Sequence, residues 1–326
     1  MASAEDLRWL DAAARLGLRG VPLARPNPSV GAIILRDGRV IARGWTQPGG
    51  RPHAEAVALA AAGEEALGAT LYVSLEPCAH ASPRGPDCAG LVAASGLARV
   101  VVGCGDPDPR TAGRGLAKIA EAGIAVELAE SPACAASLAG YLTRARLGRP
   151  HVTLKLALSE NGCLARPAGE SQWLTGEAAR AHVHAARARM DAILVGSGTL
   201  AADNPRLDVR LPGIENRSPS RWLLTREQAP EGWEEIRHPE DIAAMDGVLT
   251  LMVEGGAQTA RAFLAAGLVD RMLLYRAPMS ITGDVPRLPE LTAPVLSGSE
   301  AWHLADSRPL GSDTLDVYEA RPCLPE

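Results

Sequence analysis

One phenylalanine, Phe263, occurs in 326 residues, and aromatic side chains make up only 3% of the chain. Lysine is nearly absent too: Lys118 and Lys155 are the only two among 33 basic residues. Alongside abundant alanine and glycine, this is a bias of composition and carries no function by itself. Other absences exclude more. No stretch stays apolar for the ~18 residues that a membrane span needs. Basic residues form no runs, and a net charge of −5 gives no general affinity for nucleic acid or an anionic membrane. The opening "MASAEDLRWLDAAARLGL" lacks the basic start and apolar centre of a signal peptide and reads as a charged helix. A cytoplasmic protein with neither a membrane nor a nucleic-acid partner is expected. No G-x-G-x-x-G opens a strand–turn–helix unit, so the Rossmann fingerprint is missing.

What is present is enough apolar material, 47% of residues, for packed cores. At roughly 100–200 residues per domain, the length predicts two domains. Leu7, Leu10, Ala14 and Leu18 fall on one face of a first helix. "SVGAIILRDGRVIARGW" reads as a hairpin turning at Asp37-Gly38. Further strands and helices alternate to about residue 145, as in an α/β layered domain. Gly148 and Pro150 in "RARLGRPHVT" mark a break, which divides the chain into domains 1–147 and 148–326. The second half also alternates strand and helix, with glycine turns in "LVGSGTLAADNP" and "LMVEGGAQTARAF".

Six cysteines (78, 88, 104, 134, 163 and 323) in a chain without a secretory signal point to metal binding or inert burial rather than disulfides. His53 starts the helical "PHAEAVAL", with Glu55 two residues on. "LEPCAHASPRGPDC" places Cys78 after a strand and Cys88 at the next helix start. Zinc takes nitrogen and sulfur ligands, and a catalytic site keeps its fourth position for water. His53, Cys78 and Cys88 supply that set for one Zn2+ per chain, with His80 as a rival third ligand. Glu55 is too displaced to share the metal but able to shuttle a proton to a departing amine. H-x-E followed by P-C matches the zinc nucleobase-deaminase signature, although nine residues replace the two expected between the cysteines. In the second half, Gly255-Gly256 would let a phosphate approach backbone N–H groups at a helix start. Alone, such a turn is more often only a tight connection.

"RPNPSVGAIILRDGRVIARG", "PHAEAVAL", "LEPCAH…PDC" and "DPDPRTAGRGL…EAGI" resemble the deaminase half of the bifunctional riboflavin-biosynthesis deaminase-reductases. In that family an inserted loop separates the two cysteines. The resemblance implies a cytidine-deaminase-like three-layer α/β domain, zinc on His53, Cys78 and Cys88, and Glu55 as the catalytic proton carrier. It implies a small-molecule pyrimidine ribosyl phosphate as substrate, losing its C2 amine as ammonia. Asn27, on the turn into the first strand, would hydrogen-bond the pyrimidine. His80 and Arg84, in the inserted loop, would hold the ring or phosphate.

"VTLKLALS", "GESQWLT", "ILVGSGTLAADNPRLDVR" and "VEGGAQTARAFLAAGLVDRMLLYRAP" resemble the reductase half of the same family. A dihydrofolate-reductase-like fold is implied, with NADPH delivering hydride to C1′ of the ring-opened ribosyl group. Ala157, Trp173, Thr199, Asp203 and the stretch starting Gly256, Ala257, Gln258, Thr259 would line the cofactor. Lys155, Ser171, Arg187, Leu207, Arg210 and Glu254 would hold the substrate, the arginines forking onto its phosphate. Lys155 interrupts an apolar strand in a chain that otherwise chooses arginine, which suits a charge needed near the sugar. Two departures stand out: Arg226 follows "SRWLLT" where the family often has a small hydroxyl or an acid, and residues 226–248 look short of a strand–helix unit. The family also implies a homo-oligomer. The alternative is a deaminase of another base or nucleotide, with a second half that only binds nucleotide.

Overall fold

The computed structural model describes residues 2–80, 85–167 and 173–321. The chain divides into two compact units, Met1–Arg149 and Pro150–Glu326. Among the described residues no helix is long and apolar enough to cross a membrane.

In the first unit a five-stranded sheet is ordered β2-β1-β3-β4-β5. Its strands are β1 (Gly31–Arg36), β2 (Arg39–Trp45), β3 (Thr70–Val73), β4 (Arg99–Val102) and β5 (Ala125–Leu128). β1 is antiparallel to β2 and β3, whereas β3, β4 and β5 are parallel. The β1–β2 hairpin turns at Asp37-Gly38, both with positive φ, the geometry that matches strand twist in a two-residue turn.

Helices cover both faces of this sheet. α1 (Ala4–Gly17) packs on β1, β3 and α5 (Pro132–Ser137). α2 (Ala54–Ala62) packs on β1, β2 and α3 (Cys88–Ala93), which packs in turn on α4 (Arg114–Glu121); α6 (Ala139–Leu147) ends the unit. Two glycines set the spacing. A Cβ on Gly31 would lie 2.0 Å from the Ala13 carbonyl oxygen, and one on Gly44 would lie 2.2 Å from that of Ala54. Gly44 pairs with Ala32, the neighbour of Gly31, so alternation along the strand puts the two glycines on opposite faces. Hence α1 and α2 sandwich the sheet in three layers.

The inward face of α1 differs from the periodic expectation. Leu10, Ala13, Ala14 and Gly17 are buried with Asp6, while Leu7 is 40% exposed. Asp6 turns inward because its carboxylate accepts hydrogen bonds from the Tyr72 hydroxyl (2.9 Å) and the Arg99 guanidinium (2.7 and 3.0 Å), and from the Ser3 N–H in a capping box.

The second unit holds an eight-stranded sheet ordered β12-β13-β11-β6-β10-β7-β8-β9. The strands are β6 (His151–Ser159), β7 (Ala192–Gly196), β8 (Ser220–Leu224), β9 (Glu234–Ile236), β10 (Thr250–Val253), β11 (Arg271–Ala277), β12 (Trp302–Leu310) and β13 (Asp313–Ala320). From β11 to β9 neighbours run parallel, and β12 and β13 add an antiparallel hairpin. Its helices are α7 (Glu177–Arg187), α8 (Ser197–Asp203), α9 (Ala257–Ala265) and α10 (Ala293–Ser297). Two readings change here. The glycine turn after β7 leads directly into α8, and residues 226–248 do contain a strand, β9, which pairs with β8.

Candidate active sites

In the first unit, the cis peptide Arg51–Pro52 leads into His53, which is the N-cap of α2 (φ −73°, ψ 162°). Cys78 lies in irregular chain five residues beyond β3, and Cys88 is the first residue of α3, whose cap Asp87 accepts from the Gly90 N–H at 2.7 Å. Cys88 alone thus sits at a helix start, and Cys78 follows a strand. The α3 start nevertheless serves both, because the Cys88 N–H donates to Cys78 Sγ at 3.3 Å.

His53 Nδ1 stands 3.3 Å from Cys88 Sγ and 3.6 Å from Cys78 Sγ. The three ligand atoms all lie within 4.8 Å of one another. Bond lengths of ~2.0 Å to nitrogen and ~2.3 Å to sulfur place tetrahedral zinc ligands about 3.5 to 3.8 Å apart, so the set fits a zinc ion with little adjustment. Hydrogen bonds from Cys88 and His53 hold the Cys78 thiol well below its ordinary range against the opposing effect of burial, favouring the thiolate that binds metal. Cys78 and burial push the Cys88 thiol the other way. His80, the rival ligand, stays out of this cluster: its Nδ1 is 3.4 Å from Thr111 Oγ1.

Glu55, one residue into α2, is buried, and its Oε2 meets no hydrogen-bond partner. Burial raises its carboxyl above the usual range, against the pull of His53. Asn27 Nδ2 lies 3.2 Å from His53 Nε2 and donates to the Gly50 carbonyl at 3.0 Å. These groups open onto a cavity of about 360 Å3 whose walls include Asn27, Glu55, His80, Arg51, Asp106 and Tyr141. Arg84 lies outside the described residues.

In the second unit, Glu254 follows β10 and is 9% exposed at its side chain. Arg187 Nε and Nη2 fork onto it at 2.7 and 2.9 Å, and Lys155 Nζ reaches it at 3.5 Å. Burial works to raise the Glu254 pKa, but Lys155 and Arg187 outweigh it and hold the carboxylate down at about 2. The forked donors of Arg187, expected on a phosphate, are thus spent on Glu254; its Nη1 donates to the Asp208 carbonyl at 3.2 Å. Leu207 is buried with φ +57°, and Arg210 faces Asp208 at 3.4 Å. The structure brings these five residues into one neighbourhood through Asp208 and Glu254.

Gly256 caps α9 without a side-chain acceptor, and its N–H donates to Thr199 Oγ1 on α8 at 3.2 Å. Ala257, Gln258 and Thr259 form the first turn of α9, with Thr259 buried. Ala157 on β6 sits beside Tyr275 in register. Trp173 is 58% exposed under the Arg180 guanidinium, 5.0 Å from its ring centre, and Asp203 is exposed at the end of α8. Ser171 lies outside the described residues.

The profile of the cytidine and deoxycytidylate deaminase zinc-binding region matches residues 3–104, and that of the RibD C-terminal domain matches residues 150–233 and 240–315. A riboflavin biosynthesis protein RibD from Escherichia coli (strain K12) is 37% identical over 329 residues, covering 86% of this chain and 89% of that protein. The chain belongs to the RibD family. The RibD of Haemophilus influenzae is 36% identical, with 97% of this chain and 98% of that protein covered. Among solved structures, Acinetobacter baumannii RibD superposes with a TM-score of 0.84 at 32% identity, over 97% of this chain and 99% of the other. A Thermotoga maritima diaminohydroxyphosphoribosylaminopyrimidine deaminase/5-amino-6-(5-phosphoribosylamino)uracil reductase gives 0.86 at 28% identity, with the same coverage. As a RibD family member, the chain is an enzyme of riboflavin biosynthesis that joins a zinc-binding deaminase domain to a reductase domain. The fold expectation stands for both halves.

Several residues on the walls of the RibD deaminase cavity escaped the sequence reading. Asp106 follows the carboxyl end of β4, a position where α/β sheets place functional groups, and that rule would have found it. Tyr141 donates to Asp106 at 2.6 Å from α6, and nothing local in the sequence announces it. Arg51 precedes His53 by two residues; its Nη1 donates to the Pro86 carbonyl at 3.3 Å, and its Nε is buried without a partner.

Proposed function

We propose that residues 1–147 deaminate 2,5-diamino-6-(5-phosphoribosylamino)pyrimidin-4(3H)-one to 5-amino-6-(5-phosphoribosylamino)uracil, and that residues 148–326 reduce this product with NADPH to 5-amino-6-(5-phosphoribitylamino)uracil. The observation that carries the reading is a His53–Cys78–Cys88 cluster at zinc spacing, of which His53 and Cys78 line one cavity with the buried carboxyl of Glu55, whose Oε2 meets no hydrogen-bond partner. Those three residues would hold zinc, which would supply a nucleophilic water at neutral pH. Glu55 carries the proton that the C2 amine needs to leave as ammonia, the oxygen gained at C2 coming from water. Asn27 holds the pyrimidine, and His80 and Arg84 hold ring and phosphate.

In the reductase half, Lys155, Ser171, Arg187, Leu207, Arg210 and Glu254 bind the ribosyl phosphate. Glu254 keeps Lys155 in place, while Arg187 holds Glu254, so the substrate-side amine has a fixed position. NADPH supplies hydride to C1′ when bound. The α9 start fits its phosphates, because the backbone N–H groups of its first turn meet no side-chain cap from Gly256. Ala157, Trp173, Thr199, Asp203, Ala257, Gln258 and Thr259 complete that site. The enzyme works in the cytoplasm as a homo-oligomer, an assembly that light scattering on the purified chain measures.

A coupled assay tests both halves. The purified chain should carry about one zinc, release ammonia from the diaminopyrimidine phosphate, and then consume NADPH. Full deaminase activity in a metal-free preparation would overturn the first half. Ammonia release without NADPH oxidation would overturn the second, leaving a deaminase with a nucleotide-binding partner domain.

A further inference from the structure

β3 and β4 are parallel neighbours in the first sheet, and the chain beyond their carboxyl ends carries Cys78 from one and Asp106 from the other. Asp106 is buried, and Tyr141 of α6, 35 residues further along the chain, reaches its carboxyl group. Both side chains line the cavity that also takes in His53, Glu55 and Cys78.

Two donors meet on one oxygen of that carboxyl. The Tyr141 hydroxyl donates to Asp106 Oδ1 at 2.6 Å, and the Asp108 N–H donates to the same atom at 2.9 Å. Oδ2 accepts from no described residue, so it is the oxygen left for a ligand of the cavity. The backbone is tied as well: the Asp106 N–H donates to Glu76 Oε2 at 3.2 Å, and Glu76 accepts from the N–H groups of Gly113, Gly115 and Leu116 around the α4 start. No cation competes with Tyr141 among the described residues. Arg110, the guanidinium nearest along the chain, forks onto Asp108 instead. Burial raises the Asp106 carboxyl above its usual range, and the charges of Asp108 and Glu76 push the same way; Tyr141 and the Asp108 N–H oppose them. Burial and Asp106 also push the Tyr141 phenol up, so it stays protonated and remains a donor.

We propose that Tyr141 is a positioning residue of the deaminase half: it pins Asp106 through Oδ1 so that Oδ2 accepts an N–H of the aminopyrimidine. An acceptor held in this way favours a ring that presents an amino group and repels one that presents a carbonyl at the same place. The ring of Tyr141 packs in the wall, and its hydroxyl acts only through Asp106. The inference rests on the reading that this half deaminates a diaminopyrimidine phosphate.

Steady-state ammonia release by the zinc-loaded full-length chain, followed from mildly acidic to neutral pH, tests it. Tyr141→Phe removes the hydroxyl and keeps the ring. KM should rise about tenfold while kcat stays within about twofold, because the lost hydrogen bond supports substrate binding. The KM penalty should grow as pH falls. Without the Tyr141 donor the Asp106 carboxyl takes up its proton at a higher pH, so the carboxylate acceptor is lost sooner. Asp106→Asn should raise KM at least as much, and adding Tyr141→Phe to it should change nothing further. Zinc per chain checks that each variant is folded. An unchanged KM in Tyr141→Phe, a penalty that does not vary with pH, or an undiminished effect of Tyr141→Phe on the Asp106→Asn background overturns the proposal and leaves Tyr141 a tether of α6. If the natural chain releases no ammonia from the diaminopyrimidine phosphate, the reading of this half fails and the proposal falls with it.

Discussion

Asn27 Nδ2 stands 3.2 Å from His53 Nε2 while donating to the Gly50 carbonyl, 23 residues further along the chain. The contact packs the Asn27 amide against the far nitrogen of the ring, and Nδ1 faces both sulfurs. Groups on the far nitrogen of a metal-ligating histidine orient it, and their loss typically costs about 10–100-fold in metal affinity. Asn27→Ala should therefore weaken zinc binding by that order in chelator competition. Asn27→Asp, whose carboxylate accepts from Nε2–H, should retain most of the affinity. Unchanged zinc binding in Asn27→Ala would remove Asn27 from any positioning role.

Glu55 separates metal binding from proton transfer. Glu55→Gln keeps the shape but carries no proton between water and amine. Deaminase turnover should fall by about 10²–10⁴ while zinc per chain, measured by atomic absorption, stays at the natural value. Normal ammonia release from this variant would take the proton-carrying role away from Glu55.

Glu254 makes the second unit sensitive to acid. Its carboxyl is held at about 2 when folded, against 4.5 for an unperturbed glutamate. A depressed folded value means that the stabilisation is complete above 4.5 and is lost as pH falls from there toward 2. The contribution is about 3 kcal/mol. Urea unfolding of the second unit should show that much less stability at pH 2 than at pH 6 from this group. Glu254→Gln should remove that component and, by leaving Lys155 and Arg187 uncompensated, cost about 3–5 kcal/mol at neutral pH.

Asp6 ties three separated segments of the first unit together. It completes the α1 capping box and accepts from Tyr72 on β3 and Arg99 on β4. Asp6→Ala should cost about 3 kcal/mol, read as a lower denaturation midpoint with zinc content unchanged in the folded fraction. A loss below about 0.5 kcal/mol, the usual effect at an ordinary surface site, would show the network to be dispensable.

Much of the fold was legible along the chain. The Asp37-Gly38 hairpin, the α2 start at His53 and the alternation of strands and helices all rest on local signals: turn residues, caps and periodicity. Where local signals failed, longer-range demands prevailed. Asp6 took an inward position on α1 because Arg99 and Tyr72 needed its carboxylate, and Leu7 was turned outward. β9 is only three residues long, and β12 is exposed along most of an edge strand, so neither leaves a clear hydrophobic pattern.

The sequence by itself determined which residue types are available for chemistry: the H-A-E at 53–55, cysteines at helix and loop positions, a lone strand lysine, and two glycine turns. Their chemical character and local backbone follow from short-range rules, so they are readable from the chain. Only the tertiary structure decided which of them meet. It put Cys88 rather than His80 beside His53 and gave the fork of Arg187 to Glu254. Those choices depend on strand order and register, which bring together residues far apart in sequence and which no local pattern encodes.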